Sequence, residues 1–369
     1  MKRYLYEKIL SELEAVILAE KRPADTPFLS DQEICDQYQI SRITARRIMA
    51  ELVNKGYISR ERGRGTFFRD ISKPVRNQTI AFITSCDPGL IAMFGFPLLQ
   101  SLENNARSAS YKLTVCDSQH NIQNVSKIAA ELLASEVQGV IFAPDIAYSK
   151  REENTLIKTV RMLERHNVPV VFADRILLNY IQESCFVISN NYAGEQMLVN
   201  HLVDLGYTRL AFITDTLANS AVIHRYEGFK SALFAHDLYY HEDFMAVLSQ
   251  PGELEVVLDK WLEKPEPPQT ICAVHDLMAL EIIKALNRKG IRVPKDIAVV
   301  GFDNIAISSM IHPTLTTIQQ DFMQMGKQII EILTNRIEND FNALRKVKVD
   351  VSLVVRESCG SQLLLPQTS

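Results

Sequence analysis

The stretch Ser41-Arg42-Ile43-Thr44-Ala45-Arg46-Arg47-Ile48, followed by Leu52, Gly56, Tyr57-Ile58 and Gly63-Arg64-Gly65-Thr66-Phe67, decides how the N-terminal part of this chain is read. Ile43, Ile48, Met49 and Leu52 supply the inward face of a short helix, and Ser41, Thr44 and three arginines mark its start and outer side. A turn is expected at Gly56, and Gly63 and Gly65 let an extended hairpin reverse sharply with Arg64 at its tip. The major groove of B-DNA is wide enough for one α-helix. The stretch therefore predicts a DNA-reading module in which Arg42, Arg46 and Arg47 approach from the helix and Arg64 reaches the minor groove from the hairpin. Upstream, Ser30 stands three residues before Glu33, a capping box that marks the start of another helix.

Charge supports that reading only when it is resolved along the chain. The 369 residues carry a formal net charge of −4, which by itself favours no polyanionic partner. Between Ser41 and Arg69, however, eight Lys/Arg face two Glu, a local +6. A basic stripe on an otherwise acidic chain is the footprint of a DNA-binding appendage. The six cysteines (Cys35, Cys86, Cys116, Cys185, Cys272, Cys359) lack Cys-x-x-Cys spacing and read as buried thiols rather than a zinc site or disulfide framework. Neither a signal-peptide core nor an apolar run of membrane-spanning length is evident, so a cytoplasmic protein with no membrane partner is expected.

The polar, proline-containing segment 71–78 separates two patterns and is the expected linker between a DNA-binding domain at 1–70 and a second domain at 79–369. Beyond it, short apolar runs such as Ile80-Ala81-Phe82-Ile83, Gly139-Val140-Ile141-Phe142, Val170-Val171-Phe172-Ala173, Leu210-Ala211-Phe212-Ile213 and Ile297-Ala298-Val299-Val300 alternate with amphipathic stretches. That alternation predicts an α/β domain of two doubly wound lobes with parallel sheets.

The first module resembles the winged helix-turn-helix of GntR-type bacterial regulators, on the Ser-Arg-x-Thr-x-Arg of the helix and the Gly-x-Gly-Thr-Phe of the wing; the likeness spans about 4–68. It implies contacts to operator DNA from Ser30, Ser41, Arg42, Thr44, Arg46, Arg47, Arg64 and Thr66. The second module resembles the LacI/GalR sugar-sensing domain. The likeness is carried by His201-Leu202-x-x-Leu205-Gly206-Tyr207, by Val293-Pro294-x-Asp296-Ile297-Ala298-Val299-Val300-Gly301-Phe302-Asp303-Asn304 and by Leu315-Thr316-Thr317-Ile318-Gln319-Gln320-Asp321. That resemblance implies a periplasmic-binding-protein-like fold of two lobes joined by three crossings, near 188–190, 318–321 and 345–351. The first lobe is expected at about 79–188 plus 320–344 and the second at about 189–319 plus 345–360. It further implies a homodimer.

In open parallel sheets ligands settle at the carboxyl ends of the strands. Asp174, His275 and Asp303 each follow an apolar run, Arg225 opens Arg225-Tyr226-x-Gly228-Phe229, and Phe322 follows the second crossing. Fixed acceptors and a forked arginine donor suit a polyhydroxylated effector, and the family resemblance implies a monosaccharide; Phe322 would offer an apolar ring face. Each residue also has a local role open to it: Asp303 as a turn cap, Arg225 as a surface arginine, Asp174 as a partner of Arg175. Asp276 is expected to N-cap the helix that follows it. His275 stands where the resembled family most often has asparagine.

These readings converge on a transcriptional regulator, a repressor of carbohydrate-utilisation genes released by a small sugar. A purine-type effector is the alternative within the same class. A sugar-processing enzyme using Asp174, His275 and Asp303 as acid–base groups is the other, but no nucleophile elbow, phosphate-cradling glycine loop or His-Glu-x-x-His motif accompanies them. No enzymatic activity, cofactor or metal is expected.

Overall fold

The computed structural model describes residues 2–20, 22–23, 26–54, 56–61, 64–68, 78–85, 96–144, 149–339, 341–342 and 345–363. The chain divides into two units, Met1–Gln78 and Thr79–Ser369. Apart from Gln78, the linker expected at 71–78 lies outside the described residues, as do Cys86 and Gly63.

The first unit holds helices Lys2–Glu20, Asp31–Tyr38 and Arg42–Asn54 and an antiparallel hairpin of β1 (Ile58–Glu61) and β2 (Gly65–Phe68). Ser30 caps the second helix: its Oγ accepts from the Glu33 amide, and Glu33 Oε2 accepts from the Ser30 amide at 2.7 Å. Ile9, Leu13 and Ile17, spaced four apart, close a shared core with Ile34, Ile48 and Leu52. After the third helix Gly56 takes φ 72° while Tyr57 N–H bonds back to Leu52 O at 3.0 Å, a left-handed stop that glycine accepts without strain. One expectation fails: Ile43 does not face inward but is 82% exposed. The buried stripe is Ala45, Ile48, Met49 and Leu52, whereas Ile43 shares the outer face with Arg46, Arg47 and Ala50.

In the second unit, β3 (Thr79–Thr84), β4 (Lys112–Asp117), β5 (Gly139–Phe142), β6 (Val170–Ala173), β7 (Cys185–Ser189) and β13 (Lys346–Val349) form one parallel sheet, ordered β13-β7-β6-β5-β3-β4. Central strands β5, β6 and β7 are buried throughout because helices cover both faces. Helices Ile122–Ala134 and Lys150–Arg165 pack on one side, and Phe96–Ser108 and Phe322–Glu338 on the other. A second parallel sheet, ordered β11-β10-β8-β9, contains β8 (Leu210–Thr214), β9 (Met245–Val247), β10 (Thr270–Ala273) and β11 (Ala298–Val300). A further pair, β12 (Thr317–Gln320) and β14 (Val351–Val354), runs antiparallel. The fold is thus a winged helix-turn-helix followed by a two-lobed, periplasmic-binding-protein-like α/β domain.

The chain changes lobe after Ser189, between β12 and helix Phe322–Glu338, and between β13 and β14. The last change corrects the lobe boundary expected at 345. Lys346-Val347-Lys348-Val349 pairs in parallel with Phe186–Ser189, so these residues complete the first lobe's sheet and the crossing falls at Asp350. Alternating lysine and valine suits such an edge strand, because charge discourages further strand addition.

Helix Ser220–Ala235 lies against helix Asn191–Asp204 at Gly228, where an added Cβ would overlap Tyr192 O and come within 3.2 Å of Glu195 Cβ. Gly228→Ala gains helix propensity but must part the two helices. The clash with a backbone oxygen should outweigh that gain, giving a net loss of roughly 1–3 kcal/mol. A lowered urea midpoint for the Ala variant is the expected result; an unchanged or higher midpoint would show that the helices separate at no cost.

Candidate functional site

The outer face of helix Arg42–Asn54 is the first site. Ser41 Oγ accepts from the Thr44 amide at 3.3 Å and meets Thr44 Oγ1 at 2.9 Å, so both hydroxyls fix the helix start. Arg42 donates to Gln32 Oε1 at 2.7 Å, and Arg47 lies over the Tyr6 ring at 5.0 Å. Arg46 remains 74% exposed, its nearest described carboxylate being Asp31 at 3.7 Å, and Asp31 is itself paired with Arg60 of β1. On the hairpin, Arg64 lies over the Phe67 ring at 5.6 Å, and Thr66, opposite Arg60, gives its carbonyl to Phe28 N–H. Ser30 is occupied in its capping box.

The second site lies where β10 and β11 end. Arg225, from the first turns of helix Ser220–Ala235, is buried. Its Nε donates to Asn191 Oδ1 at 2.9 Å, Nη1 to Val274 O at 2.6 Å and Nη2 to Asp303 Oδ1 at 3.0 Å, while the guanidinium stacks 3.7 Å from the Phe302 ring centre. Asp303 Oδ1 also accepts from Gln320 Nε2 at 2.6 Å. Asp303 adopts φ 114°, a region that disfavours a side chain, and is held there by its amide bond to Ile318 O at 2.8 Å. Both surface and turn-cap readings therefore give way to a buried ion pair. Gln320 Oε1 and Ser189 Oγ are buried and have no hydrogen-bond partner among the described residues.

The N-cap expected of Asp276 is supplied by His275 instead. His275 is the N-cap: its Nδ1 accepts from the Met278 amide at 3.0 Å, so that nitrogen carries no proton and Nε2 bears the N–H, 3.6 Å from Asp215 Oδ2. Burial raises the Asp215 carboxyl, but the nearby His275 imidazole together with hydrogen bonds from its own backbone and Thr214 holds it below its ordinary value. Asp276 is turned inward instead, accepting from Ile305 N–H, Ser308 Oγ and Thr317 Oγ1. Burial, with the Asp303 charge adding to it, pushes its carboxyl up to about 7 despite those bonds.

Asp174 takes up the local role open to it, an ion pair with Arg175 at 3.2 Å. It also belongs to the electrostatic surroundings of Asp303. Burial raises the Asp303 carboxyl, Arg225 and His275 pull it down, and the Asp174 charge pushes it up. Arg225, His275, Asp303 and Asp174 thus share one neighbourhood, with Asp174 contributed by the first lobe. The loop after it touches the second lobe through Ile176 N–H, which donates to Ser220 Oγ at 3.1 Å. Phe322 is half-buried against the first lobe's core. Sequence reasoning does not single out Asn191, Asp215 or Gln320 as site residues. Of these only Gln320 carries a signal, its place in the Gln-Gln-Asp that closes β12.

Among the described residues no group of three or more His, Cys, Asp or Glu is arranged to hold a metal, and no helix is long and apolar enough to cross a membrane.

Residues 5–68 match the family of bacterial regulatory proteins called gntR, and residues 199–359 match the periplasmic binding protein-like domain. The chain thus joins a gntR-type regulatory domain to a periplasmic-binding-protein-like domain, in that order. It is 26% identical to the arabinose metabolism transcriptional repressor of Geobacillus stearothermophilus, across 96% of this chain and 97% of that one. To the ribose operon repressor of Halalkalibacterium halodurans it is 25% identical, across 89% and 96%. Among solved structures, a transcriptional regulator CelR–cellobiose complex shares the fold with a TM-score of 0.68 at 21% identity, covering 87% of this chain and 92% of its own.

Glu195, on which the Arg225 charge acts, is fully buried, with neither carboxyl oxygen hydrogen-bonded among the described residues. Burial pushes it up to about 8, against the pull of Arg225, from an ordinary 4.5. A raised folded value means the unfolded chain gives up this proton first as pH rises, so the group erodes stability between about pH 5 and pH 8. Over that window the loss should reach a few kcal/mol, because each pH step between the two values costs about 1.4 kcal/mol. Urea unfolding of Glu195→Gln should show a flatter pH dependence than the native chain. Equal slopes across the window would mean that Glu195 is ionised in the folded state.

Proposed function

We propose that this regulator is a repressor of carbohydrate-utilisation genes, and that it leaves its operator when a small sugar draws the two lobes together. The observation that carries the effector reading is the buried Arg225–Asp303–Gln320 cluster at the carboxyl ends of the second lobe's strands, with Asp174 across from it. Gln320 Oε1 is an acceptor without a partner among the described residues. A sugar hydroxyl is a donor and acceptor at once, so it matches both this oxygen and the second oxygen of Asp303. The arabinose and ribose repressors among the relatives support the same ligand class. Phe322 contributes an apolar surface from the first lobe, and His275, with N–H at Nε2, a donor. A ligand shifts the lobes only by its difference in affinity for their open and closed arrangements, which requires contacts to both.

On the DNA side, Arg46 or Arg42 reads base edges, Arg46 being the freer of the two because Arg42 donates to Gln32, and Arg64 enters the minor groove; Arg47, Ser30, Ser41, Thr44 and Thr66 position the module on phosphates and sugars. One recognition helix reads few base pairs, so the protein works in the cytoplasm as a homodimer on two half-sites about one helical turn, or a multiple, apart.

Two experiments test these readings. In gel shifts, Arg46→Ala should weaken operator binding by about 1–3 kcal/mol, the value of a bidentate arginine–guanine pair, and Arg64→Ala should also weaken it. If both variants bind as the native chain does, the DNA assignment is wrong. For the effector, Asp303→Asn keeps the shape and spares Arg225 the larger damage of an alanine. It should unfold at a lower urea midpoint, because Arg225 loses its charged partner, and while folded still bind operator yet lose about ten- to a hundredfold in effector affinity, as expected for a hydrogen bond to a charged group. A thermal-shift panel of pentoses, hexoses, sugar phosphates and nucleobases identifies that effector. A response to nucleobases alone would replace the sugar by a purine.

A further inference from the structure

The DNA-facing helix carries one side chain that its charge does not explain. Ile43 is 82% exposed, in the first turn of a thirteen-residue helix, on the same face as Arg46 and Arg47. It joins no apolar core among the described residues of the first unit. A large aliphatic group held in water gains nothing for the fold, since its burial would have been favourable. Its neighbours leave little choice of occupant: Arg42, Arg46 and Arg47 surround it with cations suited to a polyanion. The Ser41–Thr44 hydroxyl pair fixes the turn that presents it. A β-branched side chain in a helix is also restricted at χ1, so the group is a stiff probe. In the major groove thymine alone among the four standard bases displays an apolar group, its C5-methyl.

We infer that Ile43 reads the methyl group of a thymine in each operator half-site, and so sets sequence preference beside the guanine contact of Arg46. The inference rests on the recognition helix entering the major groove. Its occupant is duplex DNA, chosen by the cationic surroundings over an apolar protein surface.

The test uses a duplex selected by the full-length protein from a random pool. Each thymine is replaced in turn by deoxyuridine, which deletes the methyl and keeps the base pair, and affinities are measured for the native chain and for Ile43→Ala. At one thymine per half-site the native chain should lose roughly fourfold, the equivalent of one buried methyl, whereas Ile43→Ala should lose nothing further. Ile43→Val, which keeps a branched methyl contact, should retain part of the effect. Because the side chain is solvent-exposed, the variants should unfold at the native urea midpoint. If every deoxyuridine change costs both proteins equally, Ile43 does not read thymine, even though the duplex is bound. If the native chain selects no duplex at all, the DNA reading fails and this inference fails with it.

Discussion

The buried guanidinium of Arg225 is the constraint on which the second lobe depends. A charge withdrawn from water is tolerated only when it is paired and its N–H groups are satisfied. Here the partners come from separate parts of the chain: Asn191 at the start of one helix, the Val274 carbonyl beyond β10, and Asp303 beyond β11. Gln320 on a crossing strand then leans on the same aspartate. One cation thus fixes the relative positions of two helices, two strand ends and a crossing. It also leaves carboxylate and amide oxygens in a place where a polar ligand would find them already oriented.

Asp276 performs the matching task on the other side of that loop. Its oxygens gather Ile305 N–H, Ser308 and Thr317, so the segment between β11 and β12 is organised around one buried carboxyl. This accounts for the glycine in Gly301-Phe302-Asp303: a Cβ at position 301 would run into Asp276 Oδ1. Phe302, the next residue along, supplies the ring on which Arg225 stacks. The motif is a packing solution first, and the placement of the Asp303 carboxylate follows from it.

Much of this is legible in the sequence. The apolar runs mark strands because parallel strands covered on both faces must be apolar throughout, and the capping box at Ser30 is a local signal that needs no tertiary context. Arg225 and Asp303 can be named from a motif, although their mutual pairing cannot. The departures share a cause. An apolar residue such as Ile43 suggests an inward position, but the helix phase set by Ala45, Ile48, Met49 and Leu52 turns it outward. An aspartate before a helix suggests a cap, yet the helix that includes Asp276 is capped one residue earlier, where histidine supplies the acceptor. Lys346–Val349 falls in the other lobe from the one expected because a short strand with alternating lysines carries no mark of the sheet that will receive it.

That last strand bears on how the protein is made. The DNA reader is encoded contiguously, and all of its described helices and strands have been synthesised by Phe68. The first lobe is different: β7 acquires its outer neighbour only when Lys346–Val349 leaves the ribosome, long after the whole of the second sheet has been translated. Helix Phe322–Glu338, which covers one face of the same sheet, is also late. During synthesis the nascent chain therefore carries an incompletely covered apolar sheet while the whole second sheet is being translated, the kind of exposure that recruits chaperones. A ribosome stalled short of that helix would strand the lobe that was begun first.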